Sequence, residues 1–328
     1  MKLRFTIIAT LSATCLLAKP KPDERVWTDP EAAAAEDPDF QMQGEYGRAE
    51  TGAEWGLQVI ALGGGRFDGY VLEGGLPGLG WEPGKRRIKV SGAREGEVTQ
   101  LKGEKIGIKI KNRHAVAAIE GAIHILPRIV RESPTLGAKP PEGAVVLFDG
   151  TSADAWKNGR MDGDLLENSD AFSKEAFGSY SLHLEFRTPY KPDARGQRRG
   201  NSGVYHQARY ETQILDSFGL EGQMNETGGI YSVAAPKLNM CLPPLVWQTY
   251  DVDFAAAQWK DGKKTSNARM TVRLNGVIVH EDQEIPGPTP ASKLKETPEP
   301  GPLYLQHHGN PIRFRNIWLV PREPVAPE

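Results

Sequence analysis

Between Tyr180 and Thr188 the chain alternates without a break, with Tyr180, Leu182, Leu184 and Phe186 on one side and Ser181, His183, Glu185 and Arg187 on the other. Successive side chains of a strand point to opposite faces, so this run is a strand that buries one face. The same kind of run recurs along the chain, at 55–62, 67–72, 87–91, 96–102, 105–110 and 114–119. It returns at 144–148, 203–207, 210–215, 247–254, 268–274, 277–281, 302–307 and 312–320. Helical periodicity is almost absent. Many strands separated by turns, with no helices between them, exclude a parallel α/β sheet and require antiparallel β structure. Asn275-Gly276 is a strong two-residue hairpin signal. The 36 Gly and 25 Pro are scattered rather than periodic, as turns between short strands require.

The 328 residues, 39% hydrophobic and 25% charged, suffice for about two domains. Residues 1–18 read as a secretory signal, because Lys2 and Arg4 precede an apolar run from Phe5 to Leu17 that stops at Ala18. The run is too short to span a bilayer, and no later segment is apolar enough to do so. The chain is therefore expected to be exported, to the periplasm or outside the cell. Lipid anchoring through Cys15 is the less favoured variant, since Ser12, Ala13 and Thr14 make a poor lead-in. Removal of the signal leaves Cys241 as the remaining cysteine, so no internal disulfide is expected. Residues 19–43 read as a flexible arm, 44–130 as a small β-domain, 131–143 as a Pro-containing linker and 144–322 as a β-sandwich.

A net charge of −2 and a pI near 6.4 give no basic field, so nucleic acid is not an expected partner. No phosphate loop, dinucleotide fingerprint, CxxC or HExxH occurs, and 78–85 is a Gly-rich loop without a following helix. Trp55, Tyr70 and Trp81 could form a sugar-stacking patch but read as core aromatics. Two stretches carry chemistry. In 201–217, Glu211 and Gln213 share one side of a strand, while Tyr210, Thr212 and Ile214 share the other. Such a strand can offer its carboxylate and amide as the floor of a site, or simply turn them to water. In 303–321, Tyr304, Gln306 and His308 share one parity, and a turn at Gly309-Asn310-Pro311 leads to Arg313 and Arg315 on one face. Paired histidines at a strand end can bind metal, move protons or serve as hydrogen-bonded structural groups. The planar forks of Arg187, Arg313 and Arg315 can grip hydroxyls or carboxylates.

On these residues a family resemblance can be stated. FDGTS at 148–152, FGSYSLHLEFRTP at 177–189, RGNSGVYHQARYETQILDSFG at 199–219, GGIY at 228–231, WQTYDVDF at 247–254 and LQHHGNPIRFRNIW at 305–318 are similar, in order, to the 3-keto-disaccharide hydrolase domain family. The resemblance covers about 143–322. It implies an all-β, concanavalin-like (laminin-G-like) antiparallel β-sandwich, here preceded by the small β-domain. It also implies extracytoplasmic glycan degradation in bacteria, by hydrolysis of glycosides already oxidised to a ketone at C3. Relatives often carry Cys where Thr227 stands, a departure that puts any disulfide to Cys241 in doubt.

A ketone at C3 acidifies the C2 hydrogen, so elimination and rehydration need one base, a stabiliser for the enolate oxygen and an acid for the leaving group. They do not need the paired carboxylates of ordinary glycosidases. On that reading Glu211 is the base, and His308 polarises the ketone or joins Glu211 in holding a divalent cation that does so. Asp216 is a further catalytic candidate, with Glu226 behind it. Asn201, Tyr205, Gln213, Glu185, Arg187, Gln306, Arg313 and Arg315 are expected to bind the carbohydrate. Glu185, Arg187, Glu211, Gln213 and His308 are expected to share one face of the sandwich. Because Glu211 is followed by Gln213 and Leu215, the three-carboxylate strand of laminarinase-type enzymes is missing. The competing reading is a non-catalytic carbohydrate-binding laminin-G-like module on the same polar face. A third is a structural or adhesive module.

Overall fold

The computed structural model describes residues 24–322. The signal reading of 1–18, with Cys15, lies outside the described residues.

Eight antiparallel strands, from Gly44–Tyr46 to Ala122–Ile129, close into a barrel in which the first strand pairs with the last. Period two fills it. In Ile106–Lys111 the three isoleucines point inward and Gly107, Lys109 and Lys111 outward, and Leu57, Val59, Phe67, Val71, Val90 and Leu101 complete the interior. Closure pairs every edge. Trp55 and Trp81 are buried, and Tyr70 lies under the Arg87 guanidinium at 3.4 Å, so these aromatics pack rather than form a stacking platform. The last strand was not legible because only Leu126 is buried while Ile123 and Ile125 face outward.

Residues 24–43 are not a free arm. Helices Pro30–Glu36 and Pro38–Met42 each open on an Asp N-cap followed by proline, which fixes where each helix begins. Trp27 and Tyr190 exchange backbone hydrogen bonds of 3.1 and 2.9 Å, joining the arm to the sandwich. Asp39, almost wholly buried, ties it to the barrel through Arg94 at 2.9 Å and the Gly65 N–H at 2.7 Å.

The sandwich has a smaller and a larger sheet. The smaller has five strands in the order Trp156–Lys157, Ala171–Phe177, Gly301–Leu305, Ser202–His206 and Tyr210–Ile214. The larger has eight and is centred on Arg313–Arg322, Ser179–Arg187 and Gln248–Ala255. Between them lies one core, to which Leu182, Leu184, Phe186, Val252 and Phe254 contribute from one side and Val204, Tyr210, Ile214, Leu303 and Leu305 from the other. The Asn275-Gly276 hairpin forms as expected, with both residues at positive φ and Leu274 opposite Val277.

The 131–143 segment is not a free linker, because it is laid across the outer face of the larger sheet. Ser133 Oγ meets Thr249 Oγ1 at 2.6 Å, Thr135 Oγ1 donates to Asp251 Oδ2 at 2.6 Å, and the Gly137 N–H donates to Glu185 Oε1 at 2.6 Å. Asn316 Nδ2 and Trp318 Nε1 both donate to the Ala138 carbonyl. Beneath the segment His183 stands between Asp251 (2.6 Å) and Glu185 (3.5 Å), while Arg315 Nε donates to Glu185 Oε2 at 2.6 Å. Burial by itself would raise the Glu185 pKa. The hydrogen bonds from His183, Asn316, Arg315 and Gly137 outweigh it and hold the carboxyl at about 2. Burial likewise works against a charged His183, but Asp251 and Glu185 prevail and raise its pKa.

A carboxyl lowered in the folded state contributes stability that is complete above the ordinary carboxyl range and is lost as pH falls toward its folded value. Glu185→Gln should therefore destabilise the protein by about 2–4 kcal/mol at neutral pH, since it breaks a buried ion cluster. In urea titrations the gap from the native protein should narrow as pH falls from about 5 toward 2. A gap independent of pH would show that the charge on Glu185 does not hold the seam.

Candidate active site

The hairpin Ser202–His206 and Tyr210–Ile214 sits at the edge of the smaller sheet. Its turn is wholly buried, and Gln207 and Ala208 both adopt φ of 54°, which only a strongly fixed environment maintains outside glycine. Arg209 fixes it. Its guanidinium donates to the carbonyls of Lys295 (2.8 Å) and Glu299 (3.0 Å), to Thr297 Oγ1 (2.8 Å) and to Gln207 Oε1 (2.9 Å). The N–H groups of Lys293 and Leu294 donate in turn to the Ala208 carbonyl. Loop 286–300 is thereby strapped over the outer face of the hairpin.

The inward side of the hairpin is structural. His206 stacks between Tyr180 and Phe254, with Nδ1 2.9 Å from the Tyr180 hydroxyl and Nε2 3.0 Å from Thr212 Oγ1. Burial pushes its pKa down to about 3, so it is a neutral core imidazole.

On the outward side Tyr205, Glu211 and Gln213 floor a cavity of about 580 Å³, within the range of small-molecule sites. Glu211 is only 2% exposed. Its side chain crosses Gly203, where an added Cβ would lie 2.9 Å from the carboxyl carbon, so the glycine makes room for it. The Tyr205 hydroxyl donates to Glu211 Oε2 at 2.7 Å, and Thr289 Oγ1 accepts from the Glu211 N–H at 3.0 Å. Burial raises the Glu211 pKa to about 8 against the opposing hydrogen bond from Tyr205. The carboxyl is thus a proton acceptor of near-neutral strength, suited to general-base work.

Gln306 and His308 enter from the neighbouring strand and the turn after it. Asn201 Nδ2 donates both to Gln197 Oε1 at 2.8 Å and to His308 Nδ1 at 3.3 Å, which leaves the imidazole hydrogen on Nε2. Burial lowers the His308 pKa, with His307 adding to the effect, so His308 is a neutral donor. On the far wall Asp170 Oδ1 accepts from the Tyr304 hydroxyl and from the His307 N–H. Phe172 stacks on Tyr304 at 4.3 Å, and the Lys293 ammonium lies 5.3 Å from the same ring.

Of the expected site residues, the cavity brings together Glu211, His308, Asn201, Tyr205, Gln213 and Gln306. The expectation of one shared face with Glu185 and Arg187 is corrected, because those two belong to the larger sheet and lie under the 131–143 segment and the arm. Arg187 and Arg315 flank the Trp247 ring at 4.9 and 4.1 Å, Arg187 donates to the Thr28 carbonyl, and Arg315 is held by Glu185. Arg313 pairs with Asp162 and Glu167 and lines a separate cavity of about 270 Å³ beyond His307. Asp216 is spent in a buried pair with Arg199 at 2.6 Å, away from the cavity. Glu226 caps the Gly222 and Gln223 N–H groups. Asp170, Gln197, Tyr231, Ser232, Pro290, Ala291, Lys293 and His307 complete the wall, and of these only His307 lies in either of the two stretches, 201–217 and 303–321, that carry chemistry in the sequence.

Among the described residues no group of three or more His, Cys, Asp or Glu is placed to hold a metal ion. His308 Nδ1 is engaged by Asn201 and the Glu211 carboxyl lies against Gly203 and Tyr205, and the steps proposed below run through these side chains alone. Cys241 is a free, buried thiol whose pKa burial pushes up to about 12. Thr227 hydrogen-bonds the Leu215 backbone through both its donor and its acceptor, and Cys241 Sγ approaches the same Leu215 carbonyl at 3.7 Å.

The antiparallel sandwich, with a carboxyl-and-imidazole cavity on its smaller sheet, is a concanavalin-like domain. The sequence model of a family described as the 3-keto-alpha-glucoside-1,2-lyase-like domain matches residues 143–320, more than half of the 328-residue chain, and the chain belongs to that family. A solved structure of a protein from Parabacteroides distasonis ATCC 8503, assigned as a glycosyl hydrolase, is 30% identical, with a TM-score of 0.50 over 56% of this chain and 85% of that one. A second protein from the same organism, given the same assignment, is 18% identical, with a TM-score of 0.39 over 60% of this chain and 99% of that one. No curated protein matches the chain.

Gly203→Ala places a methyl where the Glu211 side chain lies, and the carboxyl must move. If this cavity is the active site, the variant should stay folded, losing about 1–3 kcal/mol, and should lose activity by roughly tenfold or more. A variant with full activity would show that the seat of Glu211 does not matter.

Proposed function

We propose that the cavity cleaves glycosides oxidised to a ketone at C3, by elimination across C1–C2 followed by hydration. The observation that supports this most is the single buried carboxyl, Glu211, raised to about 8 and facing a neutral histidine across a sugar-sized cavity. Asp170, the other carboxylate on the wall, is held by Tyr304 and His307, so a retaining or inverting pair is not what the arrangement offers. The family description, which names a 3-keto-glucoside and a 1,2-lyase, favours the same chemistry.

In this reading Glu211 takes the C2 proton. The electron pair moves into C2–C3, and the oxyanion at C3 accepts the hydrogen of His308 Nε2. Collapse of that enolate restores the ketone, forms C1=C2 and breaks the bond from C1 to the leaving oxygen. The leaving oxygen is protonated from the open side, where Lys293 and His307 stand. Water then adds its OH at C1 and gives its other hydrogen to the group that protonated the leaving oxygen, and Glu211 returns its proton to C2. Export directed by residues 1–18, to the periplasm or beyond the cell, belongs to the same proposal.

The test is incubation with a 3-keto glycoside and its unoxidised parent in deuterated water, following aglycone release and exchange at C2. Release from the keto compound alone is expected. Glu211→Gln should cut both release and exchange by roughly a hundredfold or more. A Gln variant with near-normal turnover, or release from the parent glycoside, would sink the reading. Binding of the keto glycoside without turnover would instead mark a carbohydrate-binding module.

The base works only when charged, so kcat/KM should rise with pH until about 8. A carboxyl raised in the folded state contributes stability that is present below its unfolded pKa and is lost as pH climbs through the folded one. The native protein should therefore fall in stability relative to Glu211→Gln between pH ~5 and ~8, as thermal melts would show. A constant difference would mean that the carboxyl is ordinary.

A further inference from the structure

We infer that Tyr205 is the proton partner of Glu211, its hydroxyl hydrogen resting on Glu211 Oε2 when that carboxylate is charged and turning to the Pro290 carbonyl once Glu211 has taken a proton from substrate. The inference rests on Glu211 being the base. It comes from the count of hydrogens at one buried oxygen. Around the Tyr205 hydroxyl stand two acceptors, Glu211 Oε2 at 2.7 Å and the Pro290 carbonyl at 3.2 Å, and one donor, Gln306 Nε2 at 3.2 Å. A phenol has one hydrogen, so it serves one acceptor at a time.

Both states close. With Glu211 charged, Tyr205 donates to it and accepts from Gln306. With Glu211 protonated, the new O–H donates to the Tyr205 oxygen, whose second lone pair keeps Gln306, and the phenol hydrogen moves to Pro290. No hydrogen is gained or lost apart from the one taken from C2 and later returned. Burial and the neighbouring carboxylate raise the Tyr205 pKa, so the phenol keeps its hydrogen throughout.

Pro290 is a fixed acceptor. Thr289 binds the hairpin on one side of it, through its N–H to the Arg209 carbonyl and its Oγ1 from the Glu211 N–H, and Ala291 follows at a φ of 61°. The charge on Glu211 is thereby linked to the loop that walls the cavity. A residue that merely packed beneath the carboxyl would not need this second acceptor.

The other titratable or charged groups around the carboxyl, Tyr231, Tyr250, Tyr304, Lys293, His307, His308 and Asp170, are retained in Tyr205→Phe, so its effect reports the hydroxyl. The Glu211 carboxyl would be titrated by infrared difference spectroscopy without substrate, with Glu211→Gln as the blank. The native midpoint is expected near pH 8. In Tyr205→Phe it should rise by about one unit, because the bond the phenol gives to the charged carboxylate is stronger than the bond it accepts from the protonated one, and both are lost. The rising limb of the kcat/KM profile should move by the same amount. Gln306→Leu removes the donor that strengthens the phenol, so it should move the midpoint the same way but less, and it serves if Tyr205→Phe fails to fold. Midpoints unmoved in both variants would overturn the inference. Failure of the base assignment looks different, because Glu211→Gln would then turn over normally while the midpoint still shifted with Tyr205.

Discussion

The outward side of an edge hairpin normally meets water, and Glu211 on that side is nonetheless 2% exposed. Taking a carboxyl out of water is costly unless the proton stays on it or donors surround it, and here both occur in part. The enclosure comes from loop 286–300, which has no regular secondary structure of its own and is held by the hydrogen bonds of Arg209. Arg209 can hold it only because the hairpin turn lies beneath, with Gln207 and Ala208 forced into the left-handed region. Buried turn, strapped loop and a carboxyl of raised pKa form one dependent chain.

The histidine side of the cavity depends on a second network. Lys191, almost wholly buried, donates to Asn310 Oδ1 at 2.8 Å and to the Arg198 carbonyl at 2.7 Å. Asn310 accepts from the Gly200 N–H and donates to the His308 carbonyl, which shapes the turn that presents the imidazole. Glu24, at the start of the described residues, faces Lys191 and Arg198. The N-terminal arm thus supplies charge balance directly behind the site. The barrel and arm are joined to the sandwich by Arg199, which pairs with Asp216 and reaches the Ala61 carbonyl and Gln43, and by Phe218 and Cys241, which pack on Ile60. Asp216 therefore serves the junction between the barrel and the sandwich.

The period-two pattern separated inward from outward residues correctly on the strands that matter. Tyr180, Leu182, Leu184 and Phe186 are in the core, and Glu211 and Gln213 point away from it. Parity also grouped Gln306 with His308, and both line the cavity. It failed on Glu185, Arg187, Arg313 and Arg315 for a definite reason. Outward means away from the core on either sheet, and nothing local to a strand says which sheet it joins. Arg313–Arg322 pairs with Ser179–Arg187, while Gly301–Leu305, eight residues earlier in the chain, pairs with Ser202–His206, so the two halves of one motif part onto opposite layers.

Alternation of side chains along the backbone is a local property, so the sequence by itself determined the all-β class, the buried faces and the polar strand that floors the site. Composition likewise made 131–143 and 24–43 look unattached, since proline and charge do not reveal what they will cover. Tertiary structure alone decided that these segments lie down on the sandwich, that Lys293 and Asp170 join the cavity, and that Glu211 is buried enough to hold a proton near neutral pH. Each of these depends on contacts between residues far apart in sequence, and burial, which sets the pKa of a carboxyl, has no value until those contacts are made.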